Sequence, residues 1–344
     1  MVALGESMVT FLPTRAGRLA DVPSFERGIG GAESNVACVL ARAGHPARWV
    51  GRVGADGFGD HLVEAIAAHG VDTSAVRRDP GRPTGVYFRT AGDRATDAHE
   101  VAYYRAGSAA SAMTAANTDL AAARSGRVLH LSGITAALSD GCLALMRELT
   151  APRPGRPLVS FDVNHRPGLW RDHPEGPRVL LDLARGADLV FVGEDEARDA
   201  WGLSGAAAIR EALPEPTVLV VKHGRGGAVA FTKDAPEGTG DADGTATLVR
   251  ALHVDVVAAV GAGDAFAAGF LSATLRGLPV RDRLRHGHLM AAAALTAPGD
   301  LAEPPSRDHA DRLAALDDEA WGRLRLGPGW TEADARAAEE VRTP

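Results

Sequence analysis

The sequence is poor in cysteine and in long apolar runs, and each shortage excludes a class of protein. Its 344 residues include two cysteines, Cys38 and Cys142, which fit neither a disulfide framework nor a cysteine-based metal site. No run of about 18 apolar residues occurs, so we predict no membrane span. The first residues, MVALGESMVTF, lack the basic start of a signal peptide and soon reach Glu6. We therefore predict a cytoplasmic protein.

Positive charge is also in short supply. The chain carries 37 lysines and arginines against 44 aspartates and glutamates, for a net charge of −7. Because no basic stripe occurs, we predict no nucleic-acid partner. The hydrophobic fraction of 45% is that of an ordinary globular protein.

Apolar segments alternate with helical patterns along most of the chain. The alternation predicts an α/β fold, namely a doubly wound, mostly parallel sheet flanked by helices. The predicted strands are residues 2–4, 47–50, 128–131, 158–161, 189–192, 218–221 and 254–257, and the clearest predicted helices are 32–44 and 59–70.

Two segments interrupt this alternation. Residues 10–28 and 83–104 contain extended pieces such as GVYFRT and HEVAYYR, which indicate either a small β-sheet lid or a pair of surface hairpins. After residue 305 the chain becomes polar and is broken at LGPGW. We predict one domain over residues 1–305, including the lid, and a peripheral C-terminal extension over 306–344. We also predict a homo-oligomer that assembles through the lid.

One glycine-rich stretch joins an apolar run to a helical run. In VDVVAAVGAGDAFAAGF, Gly261, Ala262 and Gly263 come directly before the helical pattern. The first N–H groups of a helix bind anions, and glycine lets a phosphate approach the main chain. Asp264 lies at the same place. Its carboxylate is either the acceptor of a proton from an attacking group or a plain helix cap.

Three stretches, GIGGAESNVA at 28–37, KHGRGGAVAF at 222–231 and VGAGDAFAAGF at 260–270, follow one another along the chain. In sequence, order and spacing they resemble the signatures of the ribokinase-like (PfkB-type) carbohydrate kinases, over roughly residues 1–305. The resemblance implies an enzyme that uses ATP and Mg²⁺ to phosphorylate a hydroxyl of a small sugar or sugar acid. It also implies that Asp264 is the general base and that the N–H groups at Gly261–Asp264 form an anion hole.

The same resemblance implies a nucleotide site and a sugar site. A glycine turn after a strand is common without any ligand, but here it lies about 40 residues before the GAGD stretch. The implied nucleotide contacts are Asn164, Lys222, Gly224 and Gly227, together with Gly261 and Gly263; the implied sugar contacts in the early glycine stretch are Gly30, Gly31 and Asn35.

Two further stretches, VAYYRAGSAAS at 101–111 and FDVNHRPGLW at 161–170, resemble the 2-keto-3-deoxygluconate kinases within the family. Their substrate is a sugar acid, and a planar guanidinium suits a carboxylate. The matching positions are Arg105 and Arg166, with Tyr103, Tyr87 and Asp300 beside the substrate. The alternative is that YYR is a charged edge strand and that Arg166 belongs to a surface turn.

One motif departs from the family pattern. Where the family often has Asn-x-x-Glu, associated with Mg²⁺ and phosphate, this chain has GEDE, so Glu196 is kept and Gly193 replaces the asparagine. We predict that Glu196 acts on the metal at most indirectly and that Mg²⁺ arrives with the nucleotide.

Taken together, these residues predict an ATP-dependent kinase that phosphorylates 2-keto-3-deoxygluconate at its terminal hydroxyl. Another substrate, such as fructose, ribose or a nucleoside, is the alternative within the same class. A non-catalytic sugar-binding or regulatory protein on the same fold is the alternative from another class, and the intact GAGD stretch argues against it.

Overall fold

A computed structural model describes residues 1–15, 17–90, 100–171, 173, 175–233 and 245–332. Within these ranges, no helix combines the length and the apolar character that a membrane crossing requires.

Strands are distributed along the chain, separated by helices and turns. They are β1 (Val2–Leu4), β2 (Met8–Pro13), β3 (Phe25–Gly30), β4 (Arg48–Val50), β5 (Arg52–Gly54), β6 (Arg77–Asp79), β7 (Val86–Arg89), β8 (Val101–Tyr104), β9 (Val128–Ser132), β10 (Leu158–Asp162), β11 (Leu189–Gly193), β12 (Val218–Lys222), β13 (Ala228–Thr232), β14 (Thr245–Val249), β15 (His253–Val254) and β16 (Arg325–Leu326).

Most helices follow a strand and return the chain to the start of the next one. They are α1 (Ala32–Arg42), α2 (Gly57–Ala68), α3 (Leu120–Ala123), α4 (Gly133–Ala136), α5 (Asp140–Thr150), α6 (Pro167–Trp170), α7 (Val179–Arg185), α8 (Glu194–Trp201), α9 (Ala206–Ala212), α10 (Ala262–Leu275), α11 (Val280–Leu295), α12 (Arg307–Ala314) and α13 (Asp318–Arg323).

The central sheet of the described chain has the order β14-β13-β12-β11-β10-β9-β1-β4. All neighbours from β12 to β4 pair in parallel, whereas β13 and β14 extend the sheet antiparallel. Side chains alternate between its faces: Phe161 and Val190 enter one apolar cluster, and Phe191 enters the other. The predicted doubly wound, mostly parallel sheet with helices on both faces is confirmed.

The predicted strand at 254–257 is wrong. Only His253 and Val254 are extended there, and they pair with β16 outside the central sheet. The apolar run continues as a loop because its backbone bonds elsewhere: the N–H of Val257 donates to the Leu295 carbonyl at the end of α11, at 2.7 Å. A loop, and not a strand, therefore precedes α10.

A second sheet, which we call the small sheet, has the order β3-β2-β7-β8 and lies apart from the central one. It confirms the prediction of a separate small sheet, although residues 16 and 91–99 of the two predicted segments lie outside the described residues. Tyr87 pairs with Thr10 and Tyr103 in register, so these side chains share one face. Phe11 pairs with Phe88 on the opposite face.

The segment that follows residue 306 packs against the domain as far as it is described. Trp321 and Trp330 are buried in the apolar cluster that also contains residues of α10 and α11. The buried guanidinium of Arg285 in α11 lies 4.6 Å from the Trp321 ring and donates to Asp318 of α13 at 2.8 Å. The described part of the predicted C-terminal extension, up to residue 332, thus packs against the core.

Candidate active site

The glycine turn that precedes α10 is fixed by its backbone. Gly261 caps the helix with a φ of 73°, in the left-handed region that favours glycine. A methyl group on Gly261 would also collide with the backbone carbonyl oxygen of Asp300. The first intrahelical bond runs from the Ala265 N–H to the Gly261 carbonyl at 2.9 Å. The N–H groups of Ala262, Gly263 and Asp264 precede that bond, and together they offer an anion site.

Asp264 lies on the first turn of α10, and its carboxylate accepts a hydrogen bond from the Asn35 amide at 2.9 Å. Burial raises the pKa of Asp264 to about 7, although the Asn35 bond opposes the rise. The negative charge of Asp162 adds to the rise, whereas the charges of Arg166 and Lys222 oppose it. A carboxylate with a pKa near 7 is suited to accept a proton at neutral pH.

Lys222, the last residue of β12, brings a positively charged ammonium group close to this turn. Its Nζ lies 3.3 Å from both carboxylate oxygens of Asp162 and 3.8 Å from the point where a side chain on Gly263 would begin. Burial by itself lowers the pKa of Lys222, but the carboxylates of Asp162, Glu196 and Asp264 outweigh burial and raise it. Lys222 therefore carries its charge to the anion site.

Glu196 serves first as a helix cap. Its carboxylate accepts the N–H of Gly193 at 2.7 Å, at the start of α8. Burial raises the pKa of Glu196, Lys222 opposes the rise, and Asp162 adds to it. Together with Asp162, Glu196 offers hard oxygen ligands of the kind that Mg²⁺ prefers. In the described part of the chain, no group of three or more histidines, cysteines or acids is placed to hold a metal ion.

The loop after β10 faces the same region. Asn164 is buried and adopts a φ of 41°, the one non-glycine residue of the described chain with a positive φ. Such strain is frequent at functional sites. Arg166 is exposed at the start of α6, and its charge lowers the pKa values of both Asp264 and Glu196. The sequence assigned Asn164 to the nucleotide and Arg166 to the carboxylate of the sugar acid.

The turn from β12 to β13 contains the two other glycines that the sequence assigned to the nucleotide. Gly224 begins a short 3₁₀ turn, and Gly227 ends it with its carbonyl accepting the His223 N–H at 2.8 Å. The turn follows Lys222 directly, so it lies at the same edge of the central sheet as the anion site. Ligands of open α/β sheets gather at this carboxyl edge.

The inner face of the small sheet meets the loop that contains Asp300. The Tyr87 hydroxyl donates to one Asp300 oxygen at 2.8 Å, and Arg89 lies 3.4 Å from the other. Burial and the Asp300 charge raise the pKa of Tyr87, which stays a neutral donor. A methyl group on Gly30 would collide with the Tyr87 hydroxyl. Gly30, Tyr87 and Asp300 are thus brought together, as the sequence predicted, and Arg89 joins them.

Arg105 does not stand free in the cleft. Its guanidinium forms an ion pair with Glu6, whose other oxygen accepts the Ser108 hydroxyl at 2.7 Å. The Arg105 Nε is buried and has no hydrogen-bond partner. Tyr103 is half exposed, with the Arg105 guanidinium 5.8 Å from its ring centre. The ring of Tyr103 lies 5.4 Å from that of Tyr87, so the two tyrosines and Arg105 form one group.

The start of α1 contributes further groups. Asn35 reaches Asp264, as described, and Gly31 caps the helix with extended backbone. Glu33 is buried there and accepts the Thr135 hydroxyl at 2.7 Å. Burial raises the pKa of Glu33 to about 8, and the Thr135 bond opposes the rise. Glu33 is therefore neutral at pH 7.

Sequence reasoning missed four charged residues of this region: Glu6, Glu33, Arg89 and Asp162. Asp162 directly follows the strand predicted at 158–161, and the rule that ligands gather at carboxyl ends would have found it. Arg89 follows Tyr87 by two residues in an extended segment, which places both on one face. Glu6 and Glu33 gave no such signal, because their partners come from distant segments.

Comparison with known proteins identifies the family of this chain. The model of the pfkB family of carbohydrate kinases matches residues 1–307. The chain belongs to the pfkB family. It is 35% identical to the 2-dehydro-3-deoxygluconokinase of Bacillus subtilis, covering 89% of this chain and 93% of that enzyme. The Thermoproteus tenax enzyme of the same name is 32% identical, covering 91% and 93%. The PfkB protein from Polaromonas sp. JS666 superposes with a TM-score of 0.77 at 34% identity, covering 90% and 98%.

This pfkB kinase therefore brings together the parts that phosphoryl transfer to an alcohol requires. Asp264 is placed to accept a proton at the start of α10, the three N–H groups offer an anion site, and the Lys222 ammonium group lies beside them. Phosphoryl transfer depends on such positioning and charge neutralisation. The protein is a sugar kinase.

Proposed function

We propose that this kinase phosphorylates 2-keto-3-deoxygluconate, also called 2-dehydro-3-deoxygluconate, at its terminal hydroxyl, with ATP as the phosphoryl donor. The observation that carries the proposal is the bond between Asn35 and Asp264, which fixes a carboxylate with a pKa of about 7 on the same helical turn as the anion site. An ATP-dependent kinase finds its nucleotide in the cytoplasm, and a cytoplasmic location is part of the proposal.

Asp264 takes the proton of the attacking hydroxyl. A sugar alcohol is a poor nucleophile until its proton has an acceptor within hydrogen-bond reach. Asn35 fixes the carboxylate from one side and leaves the second oxygen for the substrate. As the phosphoryl group moves, the N–H groups of Ala262 and Gly263 bind its oxygens, and the positive end of α10 adds to that attraction.

The nucleotide lies across the two glycine turns. Gly224 and Gly227 bring backbone close to it, Asn164 is fixed at the end of β10, and Lys222 neutralises a phosphate. Mg²⁺ that enters with ATP would neutralise the transferring group. The Asp162 carboxylate suits that ion and is held ready by Lys222.

The acidic sugar lies under the small sheet. Arg105 keeps an unpartnered Nε beside Tyr103, and Arg166 supplies a second guanidinium near Asp264. A guanidinium binds a carboxylate with two parallel hydrogen bonds. Two relatives named 2-dehydro-3-deoxygluconokinase support the same substrate class. The hydroxyl groups of the sugar are bound by the remaining residues of the site, namely Gly30, Gly31, Asn35, Tyr87 and Asp300.

A panel of acceptors tests the proposed substrate. We expect ADP release with the keto sugar acid to exceed that with fructose, ribose and a nucleoside by at least about tenfold in kcat/KM. Faster turnover of a neutral sugar would contradict the acid assignment. Ligand-induced thermal shifts without any ADP release would instead indicate a binding protein.

A matched pair of variants tests Arg105. Arg105→Ala should raise KM for the acid by about tenfold or more, because a charge-assisted bond contributes roughly 1.5–3 kcal/mol. The control is Arg27→Ala, an exposed arginine on the outer face of the small sheet. An unchanged KM in Arg105→Ala would remove this residue from the site.

The outer face of the small sheet is proposed to bind a second copy of the chain. On this face the ring of Phe88 is surrounded by those of Phe11, Phe25 and Tyr104, with centroids 4.7–5.9 Å from it, and Tyr104 is 65% exposed. The three phenylalanines are half-buried, and Phe11 also packs against Phe58 of α2, so the exposed surface is centred on Tyr104. Exposed aromatic surface of this kind is typical of interfaces. Light scattering should give an oligomeric mass for the wild type and a monomeric mass for Tyr104→Glu; a monomeric wild type would refute this part.

A further inference from the structure

Arg89 is a buried cation that phosphoryl transfer and the proposed sugar contacts leave without a role. It ends β7, and its side chain is 8% exposed. Its contact with Asp300 is 3.4 Å long, and its Nε has no partner. A buried guanidinium needs charge compensation, so Asp300 is essential to it.

Asp300 is held from the small sheet by two residues at once. Tyr87 and Arg89 lie two positions apart on β7, so they share its inner face and engage different oxygens of one carboxylate. The Asp300 side chain is 3% exposed. Two partners on one strand fix both the position and the rotation of this side chain.

The backbone of Asp300 reaches the anion site. Its carbonyl and α-carbon lie against Gly261 so closely that glycine is required there. Gly261 caps α10 and carries the N–H groups of the anion site on its C-terminal side. A continuous set of contacts therefore runs from Arg89 through Asp300 to Gly261.

We propose that Arg89 is a positioning residue that couples the small sheet to the anion-binding turn: by holding Asp300, it makes occupation of the sugar site tighten the nucleotide site. The inference rests on the proposed function, in which the sugar lies against the small sheet and the nucleotide against Gly261. Because coupling between two ligands is reciprocal, each ligand should increase the affinity of the other by the same factor.

The first experiment measures the mechanical link without any ligand. Hydrogen–deuterium exchange of the peptide over residues 258–266 is compared in the wild type, Arg89→Met and the control Arg27→Met, an exposed arginine on the outer face of the same sheet. We expect exchange to rise about fivefold or more in Arg89→Met and to stay at the wild-type rate in Arg27→Met. Equal exchange in all three proteins would overturn the proposal.

The second experiment measures coupling between ligands. Calorimetry gives the Kd of a non-hydrolysable ATP analogue with and without the best acceptor from the substrate panel. We expect the acceptor to tighten nucleotide binding about tenfold in the wild type and less than about twofold in Arg89→Met. Arg89→Lys keeps the charge and should retain part of the effect. Full coupling in Arg89→Met would refute the proposal.

Two controls keep the outcomes distinct. If Arg89→Met does not fold, Asp300→Asn breaks the same pair from the other side and should show the same rise in exchange. Failure of the keto acid in the substrate panel would refute the proposed substrate alone, since the exchange experiment contains no sugar. Unchanged exchange with normal turnover of the keto acid would refute only the role of Arg89.

Discussion

Replacing Asp264 with asparagine should separate catalysis from stability, because the change removes the proton acceptor and keeps the size of the side chain. Loss of a general base typically costs 10²–10⁴-fold in rate, or roughly 3–5 kcal/mol of transition-state stabilisation. We expect a fall of that size in kcat, with the ATP-analogue Kd changed less than about threefold, since the anion site consists of backbone N–H groups.

The same variant should be more stable than the wild type above neutral pH. The pKa of Asp264 is 3.8 ordinarily and about 7 in the fold, so the folded state holds a proton that the unfolded state has released. Stability is therefore lost as pH rises from about 4 to 7, by at most roughly 4 kcal/mol. Because the carboxylate is partly open to solvent, we expect Asp264→Asn to gain about 1–3 kcal/mol at pH 8 and nothing at pH 3.

Urea unfolding at several pH values gives the free energy of unfolding of the wild type and of Asp264→Asn. Steady-state ADP release gives kcat and kcat/KM for the same two proteins. In the wild type, kcat/KM should fall tenfold per pH unit below about 7, as the base becomes protonated. Near-normal turnover in Asp264→Asn would return the carboxylate to the role of a helix cap. Equal stability of the two proteins at pH 8 would show that the cost of burying this charge is smaller than its pKa indicates.

Two further predictions concern the neighbours of Asp264. The unfolded chain releases the Glu33 proton above its ordinary pKa of 4.5, whereas the folded state keeps it up to about pH 8. Glu33→Gln should therefore match the wild type in unfolding at pH 3 and exceed it by roughly 3–5 kcal/mol above pH 9; equal stability at pH 9 would contradict this. Gly261→Ala should cost at least about 2 kcal/mol and weaken ATP binding, because left-handed strain is joined by a collision with Asp300. Its control, Gly277→Ala, has the same left-handed φ but open space around it, and should cost about half as much.

The order of apolar segments was sufficient to predict the central sheet. Strands such as β9, β10, β11 and β12 follow the predicted runs to within a residue, because parallel strands buried on both faces leave continuous apolar runs in the sequence. The GAGD turn was correctly predicted at the start of a helix, because glycine permits the left-handed φ that Gly261 adopts there. The apolar run at 254–257 led to the wrong prediction of a strand, because these residues form a loop that bonds to the end of α11.

Partners from distant segments could not be read from the chain. Arg105 was assigned to a substrate carboxylate without its ion pair to Glu6, which lies about 100 residues away. Tyr87 and Arg89 bind the two carboxylate oxygens of Asp300 from a strand about 210 residues earlier, a contact that the sequence does not indicate. Such ion pairs join residues that are far apart in the chain, and a single sequence does not show which acidic residue pairs with which basic residue.

By itself the sequence determined the fold class and the glycine turns, because these depend on local backbone geometry and on the period of apolar residues. Its resemblance to a kinase family pointed to Asp264 as the proposed proton acceptor. The tertiary structure alone decided the environment of that residue. Burial raises the pKa of Asp264 to about 7, and Asn35, from a helix 229 residues earlier, orients it. Desolvation and long-range hydrogen bonds exist only once the chain has folded, and they turn an ordinary aspartate into a base suited to neutral pH.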